Sequence, residues 1–244
     1  MKQINQSKRN SLAKAISLYQ EYENCSLQVK NACSWVIGVT GVTAAGKSTL
    51  GRNLVKQFRK KDLTVAAILI DPSSKKEGWA ILADRNEFRD PELDCDNGLF
   101  LRSLASRGEK SALVHALPKI IAHAKMFADI VIVETAGAGQ MDVEIEDCVD
   151  TLIQVLAPLE GPLNMEKAGI NECAHIFAVN AREYFQNSEQ FFALAEIELG
   201  RKTDNNGWQK KVFLVNAKEK KGIIELIEGL YAHKKFLEQK KPSY

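Results

Sequence analysis

The sequence has few cysteines and aromatic residues, little net charge and no long apolar run. Its five cysteines stand singly without a Cys-x-x-Cys pair or zinc-site spacing, which predicts reduced, unpaired thiols; they are Cys25, Cys33, Cys95, Cys148 and Cys173. The 33 Lys and Arg residues nearly balance 31 Asp and Glu residues, so charge alone does not favour nucleic-acid binding. No apolar stretch approaches the roughly 18 residues that a membrane span needs. We expect a cytoplasmic protein with neither nucleic acid nor membrane as partner.

Histidine is also scarce. The four histidines, His115, His123, His175 and His233, are scattered and form no metal-binding spacing. Each is predicted to be a structural or surface residue, and none is assigned to the chemistry.

Short apolar runs alternate with amphipathic stretches from residue 34 onward. Strands are predicted near residues 35–40, 65–70, 129–134, 151–156, 175–180 and 211–215, with helices between most of them. Because several runs are continuously apolar, they fit strands buried on both faces of a sheet. The prediction is an α/β fold with a doubly wound, mostly parallel sheet flanked by helices. Before it, Leu12, Ile16 and Tyr19 have helical spacing, and Ser11 is predicted to cap that helix.

The segment GVTAAGKST, residues 41–49, follows the first predicted strand and leads into a predicted helix. Its pattern G-x-x-x-x-G-K-S in that context indicates a phosphate-binding P-loop. Gly41 and Gly46 permit a tight turn that points backbone N–H groups at a β-phosphate. Lys47 would place its charge between the β- and γ-phosphates, and Ser48 would offer a hydroxyl to Mg²⁺.

Two carboxylates stand at the carboxyl ends of predicted strands, at Asp71 and at Glu134. Ligands bind at the carboxyl ends of strands in open α/β sheets, so either group could hold Mg²⁺ directly or through water. The Gly137 N–H could meet the γ-phosphate and register its loss on hydrolysis. Each carboxylate alone could equally be a turn residue, but the P-loop favours the functional interpretation.

Two further segments bear on the identity of the base. Asn180-Ala181-Arg182-Glu183 stands where a guanine-binding protein carries Asn-Lys-x-Asp, and the match is partial. Ala217-Lys218 resembles the Ser-Ala-Lys element, in which a backbone N–H meets the guanine oxygen and the lysine stem covers the ring. Guanine is favoured over adenine, and adenine stays open.

Several longer segments occur in a recognisable order. They are LAKAISL, GVTAAGKSTL, VAAILIDPSS with GWAILADR, LRSLASRG, IVIVETAGAGQ, and DCVDTLIQVLAP with EKAGINECAHIFAVN. Together they resemble the MeaB/ArgK-type GTPases, which assist cobalamin-dependent acyl-CoA mutases such as methylmalonyl-CoA mutase. The resemblance spans nearly the whole chain and implies an N-terminal helical extension at 1–32 followed by a P-loop GTPase domain at 33–240.

The resemblance also implies roles for individual residues. The phosphate-binding loop would include Ala44, Ala45 and Thr49, and GTP or GDP would bind there with Mg²⁺. Asp71 and Asp84 would lie in or beside switch I and support the metal, and Glu134 to Gln140 would form switch II. The base would be framed by Asn180, Glu183, Ala217 and Lys218.

The family's partner would be a cobalamin-dependent acyl-CoA mutase, with the nucleotide state gating cofactor delivery or rescue. The family usually continues into a C-terminal helical dimerisation arm; we expect that arm to be absent here, and a homodimer stays open. The expected reaction is in-line attack of water on the γ-phosphate, with Lys47, Asp71 and Glu134 as the catalytic group and slow turnover without the partner. Two alternatives stay open: an ATP-dependent kinase or ATPase, and a degenerate P-loop scaffold that binds nucleotide only as a structural ligand.

Overall fold

The structure is a computed structural model that describes residues 2–21, 34–71, 90–105, 110–135, 145–158, 170–181 and 187–240. Its helices and strands are, in chain order, α1 (Gln6–Glu21), β1 (Trp35–Gly41), α2 (Lys47–Lys60), β2 (Val65–Asp71), α3 (Pro91–Asp94), β3 (Leu99–Ala105), α4 (Lys110–Ala124), β4 (Ile130–Glu134), β5 (Thr151–Leu156), α5 (Ile170–Cys173), β6 (Ile176–Asn180), α6 (Ser188–Glu198), β7 (Lys211–Val215) and α7 (Ile223–Lys240).

The strands of the described residues form one seven-stranded parallel sheet in the order β3-β2-β4-β1-β5-β6-β7. β1, β4, β5 and β6 are buried along their whole length, which explains why their sequences are mostly apolar rather than alternating; Thr151 and Gln154 of β5 are buried polar exceptions. The chain adds strands first on one side of β1 and then on the other. Ligands bind outside the carboxyl ends of the strands at such a reversal.

Helices cover both faces of the sheet. One face packs against α2 and α7 through a core that includes Ile37, Leu54 and Leu226. The opposite face packs against α1 and α4 near β1, and against α6 near β6, where Phe177 meets Phe191. The prediction of a doubly wound α/β fold is therefore confirmed.

The N-terminal helix begins earlier than predicted. Ser11 lies inside α1, so its assignment as the N-cap is wrong; Asn5 Oδ1 instead accepts the Lys8 N–H at 2.9 Å. Leu12 and Ile16 are buried as their spacing indicates. Apolar spacing identifies the buried face of a helix, whereas the polar first turn lies outside that pattern. Residues 22–33 lie outside the description, and the domain boundary at residue 32 stays a prediction.

Strand β3 was not among the predicted strands. It pairs with β2, with Arg102 opposite Ile68, and Arg102 Nη2 donates to Ser17 Oγ of α1 at 3.3 Å. Within the described residues β3 lies at the edge of the sheet. Because an edge strand is less enclosed than a central one, it tolerates Arg102 and Ser103, and these residues interrupt the apolar run that would have predicted it.

None of the described helices combines the length and apolar character that crossing a bilayer requires. Cys95, Cys148 and Cys173 are free thiols, and burial is the main cause that raises the pKa of Cys173 to about 12. Cys25 and Cys33 lie outside the described residues.

A buried ion pair joins the end of α2 to the turn before β3. Arg59 Nε and Nη2 donate to the Asp96 carboxylate at 2.8 and 2.9 Å, and Nη1 donates to the Leu63 carbonyl at 2.7 Å. The Arg59 side chain is 4% exposed. A Cβ atom on Gly98 would lie 1.9 Å from the Arg59 Cζ atom, so the guanidinium sits where only glycine leaves room. Because both groups are largely withdrawn from water, removing either one would leave the other as an uncompensated buried charge.

Asp129 ties the start of β4 to the start of β2, and we predict that its contribution to stability depends on pH. Its Oδ2 atom accepts the Thr64 N–H and the Thr64 hydroxyl, both at 2.8 Å. Burial raises the pKa of Asp129, but Thr64 and Lys2 outweigh it and hold the pKa below the ordinary value. A carboxylate with a lowered folded-state pKa stabilises the fold above its unfolded pKa of about 3.9, and that contribution disappears as the pH falls through the folded value.

We therefore expect Asp129→Asn to destabilise the protein more at pH 6 than at pH 3. Urea unfolding of the wild type and the variant at both pH values measures the difference. Thr64→Val, which removes one of the two donors, should show the same pH trend in weaker form. A difference that stays constant between the two pH values would contradict this role for the carboxylate.

Candidate functional site

The loop between β1 and α2 has the backbone geometry that the P-loop prediction requires. Gly41 and Gly46 have φ values of 137° and 93°, in the region that favours glycine. A Cβ atom on Gly41 would lie 2.3 Å from the Val155 carbonyl oxygen, so this position also excludes larger residues on steric grounds. Ala44 has φ 64°, an unusual value for alanine, and such strained residues concentrate at ligand-binding loops. The loop therefore turns tightly enough to direct its amides toward one point.

Lys47 is the first residue of α2 and is buried against the loop that precedes it. Its ammonium donates to the carbonyl oxygens of Gly41 and Val42 at 2.9 and 2.8 Å, and the residue is 6% exposed. The charge is therefore held beside the N-terminus of a helix, where the helix dipole also favours an anion. This placement puts the Lys47 charge beside the P-loop, and its role at the phosphates stays a prediction.

Ser48 and Glu134 converge on the same side of this loop. The Ser48 hydroxyl donates to Glu134 Oε1 at 2.5 Å, and Glu134 is buried at the carboxyl end of β4. Asp71 ends β2, the strand beside β4. A hydroxyl and a carboxylate are hard oxygen donors of the kind that Mg²⁺ prefers, so the donor set at Ser48 and Glu134 fits this ion.

Asn180 connects the P-loop to the loop that follows β7. Its Nδ2 donates to the Ala45 carbonyl at 2.8 Å, and its Oδ1 accepts the Ala217 N–H at 3.0 Å. Lys218, the next residue, is exposed. Asn180 thus links the P-loop to Ala217, and the assignment of Asn180, Ala217 and Lys218 to a base-binding frame stays a prediction. Because the Ala217 N–H is already donated to Asn180, it is not available to a base in this conformation.

Other predicted site residues lie outside the described part of the chain. These are Asp84, Gly137, Gln140 and Glu183. Thr49 lies in the first turn of α2 and is half-buried. The structure thus brings together Gly41, Lys47, Ser48, Glu134 and Asn180, with Asp71 at the end of the neighbouring strand.

A second group of titratable side chains offers atoms within 4.8 Å of one another. It consists of His175, Asp204 and His233, and His175 directly precedes the amino end of β6. The Leu152 N–H donates to His175 Nδ1 at 3.0 Å, so a neutral His175 ring carries its proton on Nε2. A metal-binding histidine instead donates from the nitrogen that does not bind the metal. Burial lowers the pKa of His175 and lowers that of His233 to about 3, so both rings are neutral near pH 7. This group is suited to packing and hydrogen bonding rather than to holding a metal.

A comparison with known families gives a match over most of the chain. The family described as "Methylmalonyl Co-A mutase-associated GTPase MeaB" matches residues 20–242. The chain belongs to the MeaB family of GTPases. The predicted resemblance to MeaB/ArgK-type proteins is therefore confirmed, and the P-loop described above is the GTPase loop of a MeaB-family protein.

Individual relatives of this MeaB-family chain support the same assignment. A Pyrococcus horikoshii protein classed by name among GTPases is 33% identical, over 98% of this chain and 78% of its own length. GTPase ArgK of Escherichia coli is 29% identical, over 93% of this chain and 72% of its own length. A fused isobutyryl-CoA mutase of Cupriavidus metallidurans is 37% identical, over 69% of this chain but only 17% of its own length.

Solved structures support the fold of the MeaB-family chain. The crystal structure of the LAO/AO transport system kinase has a TM-score of 0.73 at 24% identity, covering 97% of this chain and 74% of that one. The hydrogenase maturation factor HypB from Archaeoglobus fulgidus has a TM-score of 0.58 at 17% identity, covering 93% of this chain and 98% of that one. At these identities the likeness concerns the fold alone.

One residue of the site was not predicted from the sequence of this MeaB-family chain. Asn53 of α2 donates from Nδ2 to the Ala217 carbonyl at 2.6 Å. A signal was available, because Asn53 is an amide on the helix face that also carries Leu50 and Leu54, and all three are buried. A polar residue on an otherwise apolar helix face needs a specific partner.

Proposed function

We propose that this chain binds GTP and GDP with Mg²⁺ at the carboxyl edge of the sheet and hydrolyses GTP slowly on its own. The observation that carries the proposal is the convergence of the Lys47 ammonium and the Ser48–Glu134 pair on the loop between β1 and α2. Lys47 would exchange its carbonyl partners for phosphate oxygens and stabilise the charge that develops during transfer. Ser48 and Glu134, with Asp71 and Asp84 in support, would hold Mg²⁺, which supplies charge neutralisation at the phosphates.

The partner in this proposal is a cobalamin-dependent acyl-CoA mutase, and the nucleotide state would gate cobalamin loading or protection of that enzyme. Two findings support it: the family is described as associated with methylmalonyl-CoA mutase, and relatives of this chain are parts of fused isobutyryl-CoA mutases. The gating would operate through the segment around Gly137, which follows Glu134 directly after β4.

Two measurements test the proposal. Calorimetric titration with GDP and with ADP, each with Mg²⁺, should show clear preference for GDP; ADP binding about tenfold tighter than GDP, or about 1.4 kcal/mol, would favour an ATP-using enzyme instead. Capture of purified methylmalonyl-CoA or isobutyryl-CoA mutase should then differ between GDP and a non-hydrolysable GTP analogue. Equal capture in both states, and equal capture by Lys47→Ala, would support a scaffold without switching.

Glu134→Gln tests the carboxylate separately. The amide keeps the shape of the side chain and can still accept the Ser48 hydroxyl, but it loses the negative charge that favours Mg²⁺. We expect GTP hydrolysis to fall by about 10- to 100-fold, with GDP binding changed much less. Phosphate release measured over a range of Mg²⁺ concentrations gives the effect, and Glu196→Gln, an exposed position on α6, is the control. Unchanged hydrolysis in Glu134→Gln would remove Glu134 from the metal site.

A further inference from the structure

Both peptide groups of Ala217 are held by side-chain amides from other parts of the chain. Asn180 Oδ1 accepts its N–H at 3.0 Å, and Asn53 Nδ2 donates to its C=O at 2.6 Å. Ala217 itself is buried. Hydrogen bonds from two separate parts of the chain therefore fix the loop after β7 at Ala217.

Both asparagines also connect the loop after β7 to the proposed phosphate site. Asn180 also donates to the Ala45 carbonyl of the P-loop at 2.8 Å, and Asn53 lies on α2, the helix that follows the P-loop. The loop after Ala217 is compact in itself, because Asn216 and Lys221 exchange backbone hydrogen bonds at 3.0 and 3.1 Å. A compact loop held at one residue is expected to shift as a unit if that residue shifts.

The amide of Asn53 is suited to this hydrogen bond in a way that an apolar side chain is not. Asn53 is buried at 5% exposure, and it shares its helix face with the apolar residues Leu50 and Leu54. Burying an amide on this face costs free energy of desolvation, which an apolar residue would avoid, unless the amide has a hydrogen-bond partner. The Ala217 carbonyl is that partner, and without the amide it would be a buried acceptor without its donor.

We propose that Asn53 is a positioning residue for the base: it fixes the loop at 216–222 relative to the P-loop, so that preference for guanine depends on it. This inference rests on the proposed guanine-nucleotide function. Asn53 acts through Ala217 and does not touch the nucleotide. Its loss is expected to weaken contacts to the base while leaving contacts to the phosphates in place.

The test compares two substitutions by calorimetry with GDP, ADP and pyrophosphate. Asn53→Ala removes the donor, and we expect GDP affinity to fall about tenfold because a buried carbonyl is left unsatisfied. Asn53→Asp keeps the volume but turns a carboxylate toward that carbonyl, so GDP affinity should fall further. Pyrophosphate affinity should stay within about twofold of the wild type, since it uses the P-loop alone. With GTP as substrate, KM should rise while kcat changes little.

Thr151→Val is the matched control for a loss of stability. Thr151 is buried at the opposite end of the sheet, where its hydroxyl accepts Trp35 Nε1–H at 3.0 Å and bonds to His233 Nδ1 at 2.9 Å. Its removal should lower thermal stability to a similar degree as Asn53→Ala without changing the ratio of GDP to ADP affinity.

Three results would overturn the inference. An unchanged ratio of GDP to ADP affinity in both Asn53 variants would show a purely structural role. An equal fall in GDP and pyrophosphate affinity would place Asn53 in support of the phosphates instead. A wild-type protein that does not prefer GDP to ADP would remove the proposed function and this inference together, whereas a GDP-selective wild type whose Asn53 variants keep the same ratio of GDP to ADP affinity removes this inference alone.

Discussion

Replacing Lys47 with alanine is expected to weaken GDP and GTP binding by about 100-fold, or about 2.7 kcal/mol. Lys47 Nζ is held at 2.9 and 2.8 Å from two carbonyl oxygens of the P-loop, partners that it would exchange for phosphate oxygens. Its ammonium is a full charge in a largely buried place, so its attraction for a phosphate is screened less than at the surface. Titration calorimetry with GDP and Mg²⁺ measures the loss.

The control for this change is Lys60→Ala, which removes an exposed lysine from the last turn of the same helix. Its nucleotide affinity should stay within about twofold of the wild type, because exposed charges at this distance are screened by salt. Circular dichroism should show that both variants remain folded. Binding of GDP by folded Lys47→Ala with the affinity of the wild type would contradict the assignment of this loop as the phosphate site.

Replacing Arg59 with methionine is expected to have the largest effect on stability, a loss of about 3 to 5 kcal/mol in the free energy of unfolding. The change leaves the Asp96 carboxylate, which is only 15% exposed, without the guanidinium that binds it. Burial would raise the pKa of Asp96, but Arg59 and the Gly98 N–H hold it below the ordinary value, so the carboxylate is charged near pH 7. An uncompensated charge in that place is the source of the penalty.

Denaturant unfolding measures this effect, and a second substitution tests its cause. Adding Asp96→Asn removes the uncompensated charge and keeps an oxygen that can accept the Gly98 N–H, so the double variant should recover more than about 1 kcal/mol relative to additivity. Glu238→Gln, which removes the exposed carboxylate that pairs with Lys234 on α7, is the control and should change stability by less than about 1 kcal/mol. Strict additivity of the Arg59 and Asp96 changes would mean that lost packing, not charge, causes the destabilisation.

The sequence was most informative where burial is complete. The strands β1, β4, β5 and β6 were predicted because a strand covered on both faces is mostly apolar. β3 was missed, because a strand at the edge of the sheet can carry Arg102 and Ser103. The start of α1 was also misplaced, since Asn5 provides its cap from outside the apolar pattern.

Some residues of the candidate site were predicted from the sequence and others were not. The P-loop was recognisable because its chemistry requires particular residues at fixed spacing along one short segment, and Glu134 was predicted from its position at the carboxyl end of a strand. Asn53 was not predicted, since its partner Ala217 lies 164 positions away and no local spacing connects the two. The predictions for Asp84, Gly137 and Glu183 stay predictions.

By itself, the sequence determined the class of the fold, the phosphate loop and the family, because each depends on patterns that are local or repeated along the chain. Only the tertiary structure decided that the Ser48 hydroxyl meets Glu134, that Asn180 joins the P-loop to Ala217, and that His175 presents a protonated nitrogen to Asp204. These are contacts between residues distant in sequence. Parallel strands in this order bring their ends together at one edge, and that juxtaposition exists only after the sheet has formed.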